Sequence, residues 1–439
     1  MSGKFYDGDG WAGLIAGHLA AHPFAPPAEK ARYVWPLARP NLTADDIAAA
    51  LRVLLSGHTT CWREVAAFEE EFAMRFAPGR AAVMVNSGSS ANLLAAELLA
   101  RRIGRGAEVI IPAVTWPTHV CAALQAGLRV RLCGVDPARW TAGPGDVEEA
   151  ATPQTRAVWP VHPLGLVADV PGLRALAAHR GWTVLEDCCD ALGGHDAQGA
   201  PVGTRSLAGT FSLFYSHAMT GLEGGMIVVD PEDAPALRAW RSHGWARDLP
   251  DTDARRVLTG GAEGPFVFAD TGWNLRPTEV QAAIGRSQIA RWDATLAARR
   301  VATDWWRGVI RGLPQRDIRG RGLLRQLTDS VPVIADGDAL HGLPFVGIGP
   351  SSMTWFREQM DVAGIETRPI LAGALRAQPF VRVAVRDGRI TWHERGNWTG
   401  TAVAHRSAAY IGLLPHAPAA TRARLADALR TIAASANNR

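Results

Sequence analysis

The chain has 439 residues, of which 47% are hydrophobic, so it can bury a large core and form two domains in one globular unit. Its net charge is only +4 and its arginines are spread along the chain, which argues against a nucleic-acid partner. Five cysteines without C-x-x-C spacing predict a cytoplasmic protein, and no apolar run reaches the roughly 18 residues that span a bilayer.

The first 40 residues are predicted to form an N-terminal arm, because prolines repeatedly interrupt them. Within the arm, residues 11–21 are predicted to form an amphipathic helix and not a signal peptide, since His18 interrupts the apolar stretch. A second helix is predicted after Thr43, a capping residue that precedes two aspartates. It opens a large domain expected over residues 41–300.

Seven short apolar runs, mostly separated by helical segments, are predicted to be strands. They are residues 81–85, 108–112, 128–132, 157–161, 183–186, 209–214 and 226–229. This alternation predicts an α/β fold with a mainly parallel sheet and ligands at the carboxyl ends of its strands. A capping box at Thr278 and Gln281 predicts a helix running to about residue 298.

Residues 301–439 are predicted to form a smaller α/β domain. Its expected strands are at 331–334 and 345–348, and its expected helices cover 354–363 and the chain from about residue 420.

Small residues follow the first predicted strand and open the next helix, in the order Asn86-Ser87-Gly88-Ser89-Ser90. Small side chains let a ligand approach the backbone, and the free amides and positive dipole end of a helix start favour a phosphate. We predict a phosphate site at Gly88, Ser89 and Ser90, with an ordinary helix cap as the alternative.

The segment Phe211-Ser212-Leu213-Phe214-Tyr215-Ser216-His217, followed by Glu223-Gly224-Gly225, resembles the active-site segment of a family of vitamin B6 enzymes. This is the DegT/DnrJ/EryC1/StrS family of fold-type I, aspartate-aminotransferase-like enzymes that act on nucleotide sugars. In its aminotransferases the position of His217 belongs to a lysine that binds pyridoxal phosphate covalently. The chain has only two lysines, Lys4 and Lys30, both in the arm and away from every motif.

A histidine at this position is similar to one subgroup of the family, the pyridoxamine-phosphate-dependent 3-dehydratases of nucleotide-linked 4-keto-6-deoxyhexoses. The resemblance is nearest to the enzymes that use GDP-4-keto-6-deoxymannose. It implies that His217 is the catalytic acid and base. The alternative is that His217 has drifted in an inactive protein.

The resemblance also implies which residues bind pyridoxamine or pyridoxal 5'-phosphate. Asp187 matches the carboxylate that pairs with the pyridine nitrogen, and a buried carboxylate without a cationic partner would be costly. Asp190 matches the position facing the ring hydroxyl, with a helix cap as its alternative. Trp116 matches the aromatic residue that stacks on the ring, with core packing as its alternative. Ser212 corresponds to a serine that contacts the phosphate.

A further segment, Gly272-Trp273-Asn274-Leu275-Arg276-Pro277, resembles one that reaches into the active site of the other subunit of a dimer. By this match Asn274 approaches the phosphate and Arg276 binds a carboxylate of the amino donor, with a surface charge as the alternative for Arg276. The remaining residues that the resemblance places near the sugar are His243, Arg247, Arg368, Thr59 and Thr60. For the two threonines an ordinary loop is an equal alternative.

Several positions depart from the dehydratase pattern. The dehydratases usually carry two adjacent histidines, whereas Ala218 follows His217, and the asparagines expected near Leu166 and Ala374 are absent. These differences leave the sugar and the nucleotide open. No cysteine follows Cys189, so the iron-sulfur cluster of a related CDP-sugar enzyme is not expected. No metal site is predicted.

The motifs together predict a homodimer with shared active sites. Each chain is expected to have a large domain with a mainly parallel seven-stranded sheet and a smaller C-terminal α/β domain. The predicted reaction removes the 3-hydroxyl of a nucleotide-linked 4-keto-6-deoxyhexose, with glutamate as amino donor, in deoxysugar and lipopolysaccharide O-antigen biosynthesis. Two alternatives stay open: an aminotransferase-like enzyme for another keto sugar, and a sensor that binds a B6 vitamer or sugar nucleotide without turnover.

Overall fold

The computed structural model describes residues 8–24, 30–39, 41–247, 256, 259–262, 264, 266–312, 337–346, 350–394 and 396–436. Its strands are β1 Ala81–Val85, β2 Glu108–Pro112, β3 Arg129–Cys133, β4 Thr155–Val158, β5 Thr183–Val184, β6 Glu186–Asp187, β7 Ala208–Ser212, β8 Gly225–Val229, β9 Gly342–Val346, β10 Thr367–Pro369, β11 Ile390–Trp392 and β12 Ala408–Gly412.

The α-helices precede, connect and follow these strands. They are α1 Gly8–Ala21, α2 Ala44–Ser56, α3 Arg63–Phe76, α4 Gly88–Ile103, α5 Pro117–Gln125, α6 Pro144–Ala150, α7 Val170–Arg180, α8 Ala234–Trp240, α9 Glu279–Ala290, α10 Trp292–Arg311, α11 Pro350–Val362, α12 Pro379–Arg386, α13 Thr399–Arg406 and α14 Ala419–Ala436. None of the helices in the described part of the chain is both long and apolar enough to cross a bilayer.

The large sheet contains all seven predicted strands. Its strands are hydrogen-bonded in two groups, β11-β3-β2-β4-β5 and β6-β7-β8-β1. The groups meet because β5 and β6 form one strand line interrupted at Leu185, and a parallel bridge joins Val161 to Asp187. Only β8 runs antiparallel to its neighbours, so the prediction of a mainly parallel sheet is confirmed.

An eighth strand in this sheet was not predicted. Ile390–Trp392 comes late in the chain and pairs in parallel with β3, at the edge of the large sheet. Helix α10 also runs across residue 300 without a break. The division into domains at about residue 300 therefore stays a prediction.

The large sheet has a hydrophobic core on each face. In β1, Val83 and Val85 belong to the core on the side of α4 and α5, whereas Ala82 and Met84 belong to the core on the side of α3. Successive side chains of a strand point to opposite faces, so a strand that is apolar at every position is buried between two helical layers. This packing explains why the strands appeared in the sequence as continuous apolar runs.

A small antiparallel sheet, in the order β10-β12-β9, forms the second packing unit. Its core includes residues of α11 and α14, and the arm contributes Trp35, which is buried and donates its indole N–H to the carbonyl of Gly412 at 2.8 Å. Helices predicted at 354–363 and from about residue 420 are confirmed as α11 and α14. The strand predicted at 331–334 lies outside the described residues.

The helix predicted from Thr278 to about residue 298 is two helices, so its predicted length is wrong. The capping box between Thr278 and Gln281 is present. The helical path breaks at Arg291, whose guanidinium is held by the carbonyl of Asn41 and by the carboxylate of Asp46. The helix α2 predicted after Thr43 has its capping box as well, so both capping signals are confirmed.

Candidate active site

His217 lies in the turn that follows β7, and its N–H donates to the carbonyl of Phe214 at 2.9 Å. Its ring faces two groups from distant parts of the chain. Nδ1 lies 3.8 Å from Oδ1 of Asp190, and the ring centroid lies 4.7 Å from that of His341. The structure therefore places the predicted acid-base residue between a carboxylate and a second imidazole.

Asp190 connects this group to the loop after β4. Its Oδ2 accepts a hydrogen bond from the N–H of Leu164 at 3.1 Å, and its Oδ1 faces His217. Burial raises the pKa of Asp190, and the charge of His217 and the bond from Leu164 oppose that shift. This carboxylate faces His217 and also accepts the N–H of Leu164, which belongs to the short 3-10 helix Pro163–Gly165.

The environment keeps His217 in its neutral form at pH 7. The pKa of His217 is lowered to about 4, chiefly by burial and also by the neighbouring His341 and the charge of Arg299, whereas Asp190 opposes the shift. The pKa of His341 is lowered to about 3 by burial and by the charges of Arg299 and Arg368. A neutral imidazole can accept a proton, so His217 is ready to act as a base.

Asp187 is held rigidly at the end of β6. Its Oδ2 accepts a hydrogen bond from Nδ2 of Asn92 at 2.9 Å, and its Oδ1 accepts one from the N–H of Cys189 at 3.1 Å. Asn92 in turn accepts a hydrogen bond from the hydroxyl of Thr210 at 2.6 Å. Asp187, Asn92 and Thr210 are all buried, and this network orients the carboxylate that was predicted to meet the pyridine nitrogen.

A buried histidine, His119, stands beside Asp187. Its Nδ1 lies 2.9 Å from the hydroxyl of Thr115 and 3.9 Å from Oδ2 of Asp187. Burial lowers its pKa to about 4, although Asp187 opposes the shift. Its Nε2 has no hydrogen-bond partner among the described residues. A buried polar atom without a partner is costly, which favours a ligand or water next to this edge of the site.

The start of α4 is built so that a ligand can approach the backbone. The hydroxyl of Ser87 accepts a hydrogen bond from the N–H of Ser90, and Ser90 donates to Oδ1 of Asn86. A Cβ added to Gly88 would lie 2.8 Å from Cβ of Ser212, closer than real side chains approach. Ser89 is exposed. Glycine thus brings the helix N-terminus and Ser212 together, in a cradle that fits a phosphate.

These observations fit a pyridoxal-type cofactor. Ser212 ends β7 and Asp187 ends β6, and these two strands are hydrogen-bonded partners. The phosphate cradle therefore adjoins the strand end that carries Asp187 and, three residues later, Asp190. Trp116, at the start of α5, has 53% of its surface exposed. Core packing therefore does not explain Trp116, and its stacking on a ring stays a prediction.

The segment containing Asn274 and Arg276 lies next to the phosphate cradle within the same chain. The carbonyl of Leu275 accepts a hydrogen bond from the N–H of Asn86 at 2.9 Å. Asn274 is exposed, and Arg276 is half-buried and donates to the hydroxyl of Ser242 at 3.1 Å. Whether these side chains serve their own subunit or a partner stays a prediction.

Other predicted sugar-pocket residues lie on loops and strand ends. His243 is exposed with a positive φ of 66°, and the guanidinium of Arg247 lies 3.8 Å from the ring of Trp245. Arg368, in β10, pairs with Tyr410 of β12. The two threonines, Thr59 and Thr60, adjoin the start of α9, where the carbonyl of Thr59 accepts a hydrogen bond from the N–H of Glu279.

Lys30 was predicted to lie away from every motif, and this prediction is wrong. Its ammonium pairs with Glu366, two residues before Arg368, because the arm folds back onto the small sheet. This ion pair ties the arm to the segment that was predicted to line the sugar pocket. Sequence distance concealed the contact, since 336 positions separate the two residues.

Sequence reasoning missed four residues of this site, namely Asn92, His119, Arg299 and His341. For Asn92 a signal existed: a polar side chain in the apolar face of α4 requires a buried partner. For His119 the signal was its place three residues after Trp116. Neither Arg299 nor His341 carried a signal, since both reach the site from far along the chain.

Comparisons with known proteins agree with this geometry. A family model described as the DegT/DnrJ/EryC1/StrS aminotransferase family matches residues 40–388. The chain belongs to the DegT/DnrJ/EryC1/StrS aminotransferase family. The predicted aspartate-aminotransferase-like fold is that of the solved enzymes of this family.

Two relatives carry the same name, GDP-4-keto-6-deoxy-D-mannose 3-dehydratase. The protein from Yersinia pseudotuberculosis is 30% identical over 356 residues, which cover 77% of this chain and 85% of the relative. The protein from Escherichia coli O55:H7 (strain CB9615 / EPEC) is 32% identical over 353 residues, covering 77% and 86%. A solved structure of GDP-4-keto-6-deoxymannose-3-dehydratase, with a trapped PLP-glutamate geminal diamine, superposes with a TM-score of 0.76 at 27% identity and covers 91% of this chain and all of its own.

Proposed function

We propose that this chain is a pyridoxamine-phosphate-dependent 3-dehydratase, a lyase that removes the 3-hydroxyl of a nucleotide-linked 4-keto-6-deoxyhexose. The observation that carries the proposal is the surroundings of His217. A neutral imidazole stands where the aminotransferases of the family have lysine, 3.8 Å from Asp190. The one lysine in the described part of the chain, Lys30, is engaged with Glu366. Without a lysine here, the cofactor is held without a covalent bond to the protein.

Bound in this site, pyridoxamine phosphate supplies the amine that joins the 4-keto carbon and a ring that accepts electrons. Asp187 keeps the pyridine nitrogen protonated, because an adjacent carboxylate favours the charged form of a base. Asn92 and the N–H of Cys189 hold that carboxylate in place. The residues proposed to bind the cofactor are Gly88, Ser89, Ser90, Trp116, Asp187, Asp190, Ser212 and Asn274.

His217 moves the protons in this proposal. Its Nδ1 is directed at Asp190, which leaves Nε2 to accept a proton from the methylene carbon of the bound cofactor. The carboxylate of Asp190 stabilises the imidazolium that forms. His217 then returns the proton to the 3-hydroxyl as the bond between carbon 3 and oxygen breaks, so the leaving group departs as water.

Glutamate is the proposed amino donor. In the net reaction the sugar loses its 3-hydroxyl oxygen and is reduced at carbon 3, while glutamate is oxidised to 2-oxoglutarate and ammonia is released. Arg276 is proposed to bind a carboxylate of the donor, since a guanidinium suits a carboxylate. The residues proposed to contact the sugar nucleotide are His243, Arg247, Arg368, Thr59 and Thr60.

We further infer a homodimer in which Asn274 and Arg276 serve the partner's site, a cytoplasmic location, and a role in deoxysugar and O-antigen biosynthesis. The relatives named GDP-4-keto-6-deoxy-D-mannose 3-dehydratase support a GDP-linked substrate. An aminotransferase-like reaction on another keto sugar, or binding without turnover, would leave the 3-hydroxyl on the sugar.

Incubation with GDP-, CDP- and dTDP-linked 4-keto-6-deoxyhexoses plus glutamate tests the proposal, with products read by mass spectrometry. We expect one sugar to lose a single oxygen atom, with release of ammonia and 2-oxoglutarate, and no product with His217→Asn. An amino sugar as the product would replace the proposal by an aminotransferase. No turnover of any of the three sugars would contradict it.

A further inference from the structure

A small cavity lined by arginine and histidine side chains lies beside His217. Its volume is about 250 Å³, and its walls include Arg39, His217, Arg299, His341 and His416. No aspartate or glutamate is among the described residues that form the walls. Pockets for drug-sized ligands have volumes of roughly 300 Å³ or more, so this cavity suits a small ligand and is too small for a sugar nucleotide.

Arg299 is the unusual member of these walls. Its Nη2 donates to the carbonyl of Leu340 at 2.5 Å, and no carboxylate in the described part of the chain lies within ion-pair distance of it. Burial lowers the pKa of Arg299 to about 10, and no acidic group offsets the shift. The guanidinium is therefore a half-buried charge that no acidic side chain in the described part of the chain neutralises.

Several other partly or fully buried arginines in the described part of the chain are paired with acids. Arg80 pairs with Asp230 at 2.6 Å. Arg139 pairs with Asp338 at 2.7 Å, and Arg241 pairs with Glu69 at 2.5 Å. A charge held away from water without a partner is unfavourable. An anionic ligand at Arg299 would remove that cost.

We propose that this cavity binds the side-chain carboxylate of the amino donor on Arg299 and so selects a dicarboxylic amino acid over a monocarboxylic one. The inference rests on the proposed function, in which an amino donor must approach His217. Arg299 donates to the carbonyls of Leu340 and His341, and the ring of His341 packs against the ring of His217. Arg299 thus lies farther from the reacting amine than His217 does, which is where the remote carboxylate of the donor would lie. A forked guanidinium can bind that carboxylate through two N–H groups.

Glutarate, a dicarboxylate with no amine to react, is the probe for this cavity. Isothermal titration calorimetry on the cofactor-loaded protein should detect glutarate binding, and butyrate should bind more weakly. Arg299→Gln should weaken glutarate binding roughly tenfold to a hundredfold, as expected for the loss of a charged hydrogen-bond partner. Arg299→Lys, which keeps the charge, should restore part of the affinity even if Arg299→Gln folds poorly. The matched control is Arg300→Gln, an exposed neighbour on the same helix, which should bind glutarate like wild type.

A kinetic comparison separates this inference from the proposed function. With glutamate as donor, Arg299→Gln should raise KM for glutamate roughly tenfold or more, while KM for alanine stays unchanged. A single turnover of sugar by the Arg300→Gln control, preloaded with pyridoxamine phosphate, should keep the wild-type rate. Equal glutarate affinity of wild type and Arg299→Gln would overturn the inference and leave the dehydratase proposal intact. Weakened glutarate binding in a protein that dehydrates no sugar would overturn the dehydratase proposal alone.

Discussion

The hydrogen bonds that hold Asp187 predict a large loss of stability when Asn92 is replaced. Asn92 donates to Oδ2 of Asp187 at 2.9 Å and accepts from the hydroxyl of Thr210 at 2.6 Å, and all three side chains are buried. Asn92→Leu keeps the size of the side chain but removes both bonds. A hydrogen bond to a charged group contributes roughly 1.5–3 kcal/mol, and a buried hydroxyl left without a good partner costs roughly 1–3 kcal/mol. We therefore expect the free energy of unfolding to fall by about 2.5–6 kcal/mol.

A double-mutant cycle measures this coupling. Thr210→Val removes the hydroxyl alone and should cost about 1 kcal/mol. Because the double variant leaves no unsatisfied hydroxyl, its cost should be less than the sum of the single costs by roughly 0.5–3 kcal/mol. Urea unfolding followed by tryptophan fluorescence is the assay, and Gln125→Leu, at an exposed position of α5, is the matched control. A loss below about 1 kcal/mol for Asn92→Leu, or strict additivity in the cycle, would mean that Asn92 does not couple Thr210 to Asp187.

The remaining predictions concern the phosphate cradle, the response to acid and the dimer. Gly88→Ala should lower the affinity for pyridoxal phosphate in calorimetry and cost roughly 1–3 kcal/mol of stability, because its Cβ would overlap Ser212. The control is Gly145→Ala, where the added Cβ meets open space, and equal affinities of the two variants would argue against the cradle. The pKa of His119 is lowered from 6.5 to about 4, so the folded state favours its neutral form. The free energy of unfolding is therefore highest above pH 6.5 and falls by about 3 kcal/mol as the pH decreases to about 4, because the unfolded state binds the proton first. Urea unfolding at several pH values should show a weaker pH dependence for His119→Gln than for wild type. Mixing inactive His217→Asn and Arg276→Ala chains should restore activity, since one of the two sites in a heterodimer would have both residues native; no recovery after demonstrated subunit exchange would mean that both act within one chain.

The sequence predicted those parts of the fold that depend on neighbouring residues. The capping boxes at Thr43 and Thr278 use side chains three positions apart, and both are present. The seven strands of the large sheet were recognisable because burial on both faces leaves a continuous apolar run. These patterns are local, so a single sequence contains them.

The parts that the sequence did not predict depend on contacts between distant residues. The break at Arg291 follows from its bonds to Asn41 and Asp46, about 250 positions away. His341 carries no motif of its own and becomes part of the site only because it packs against His217. Nothing in the sequence distinguishes Arg299 from the other arginines of α10, because only the structure shows that no acid among the described residues pairs with it.

In the proposed function, His217 moves the proton at the methylene carbon of the bound cofactor. The most direct measurement is deuterium incorporation from heavy water at that carbon, in the presence of substrate, for wild type and for His217→Asn. Asparagine keeps a similar size and hydrogen-bonding capacity but transfers no proton. We expect His217→Asn to bind pyridoxamine phosphate with wild-type affinity in calorimetry and to exchange deuterium roughly a hundredfold or more slowly. Exchange by the variant at the wild-type rate would contradict the account, because another group would then move the proton.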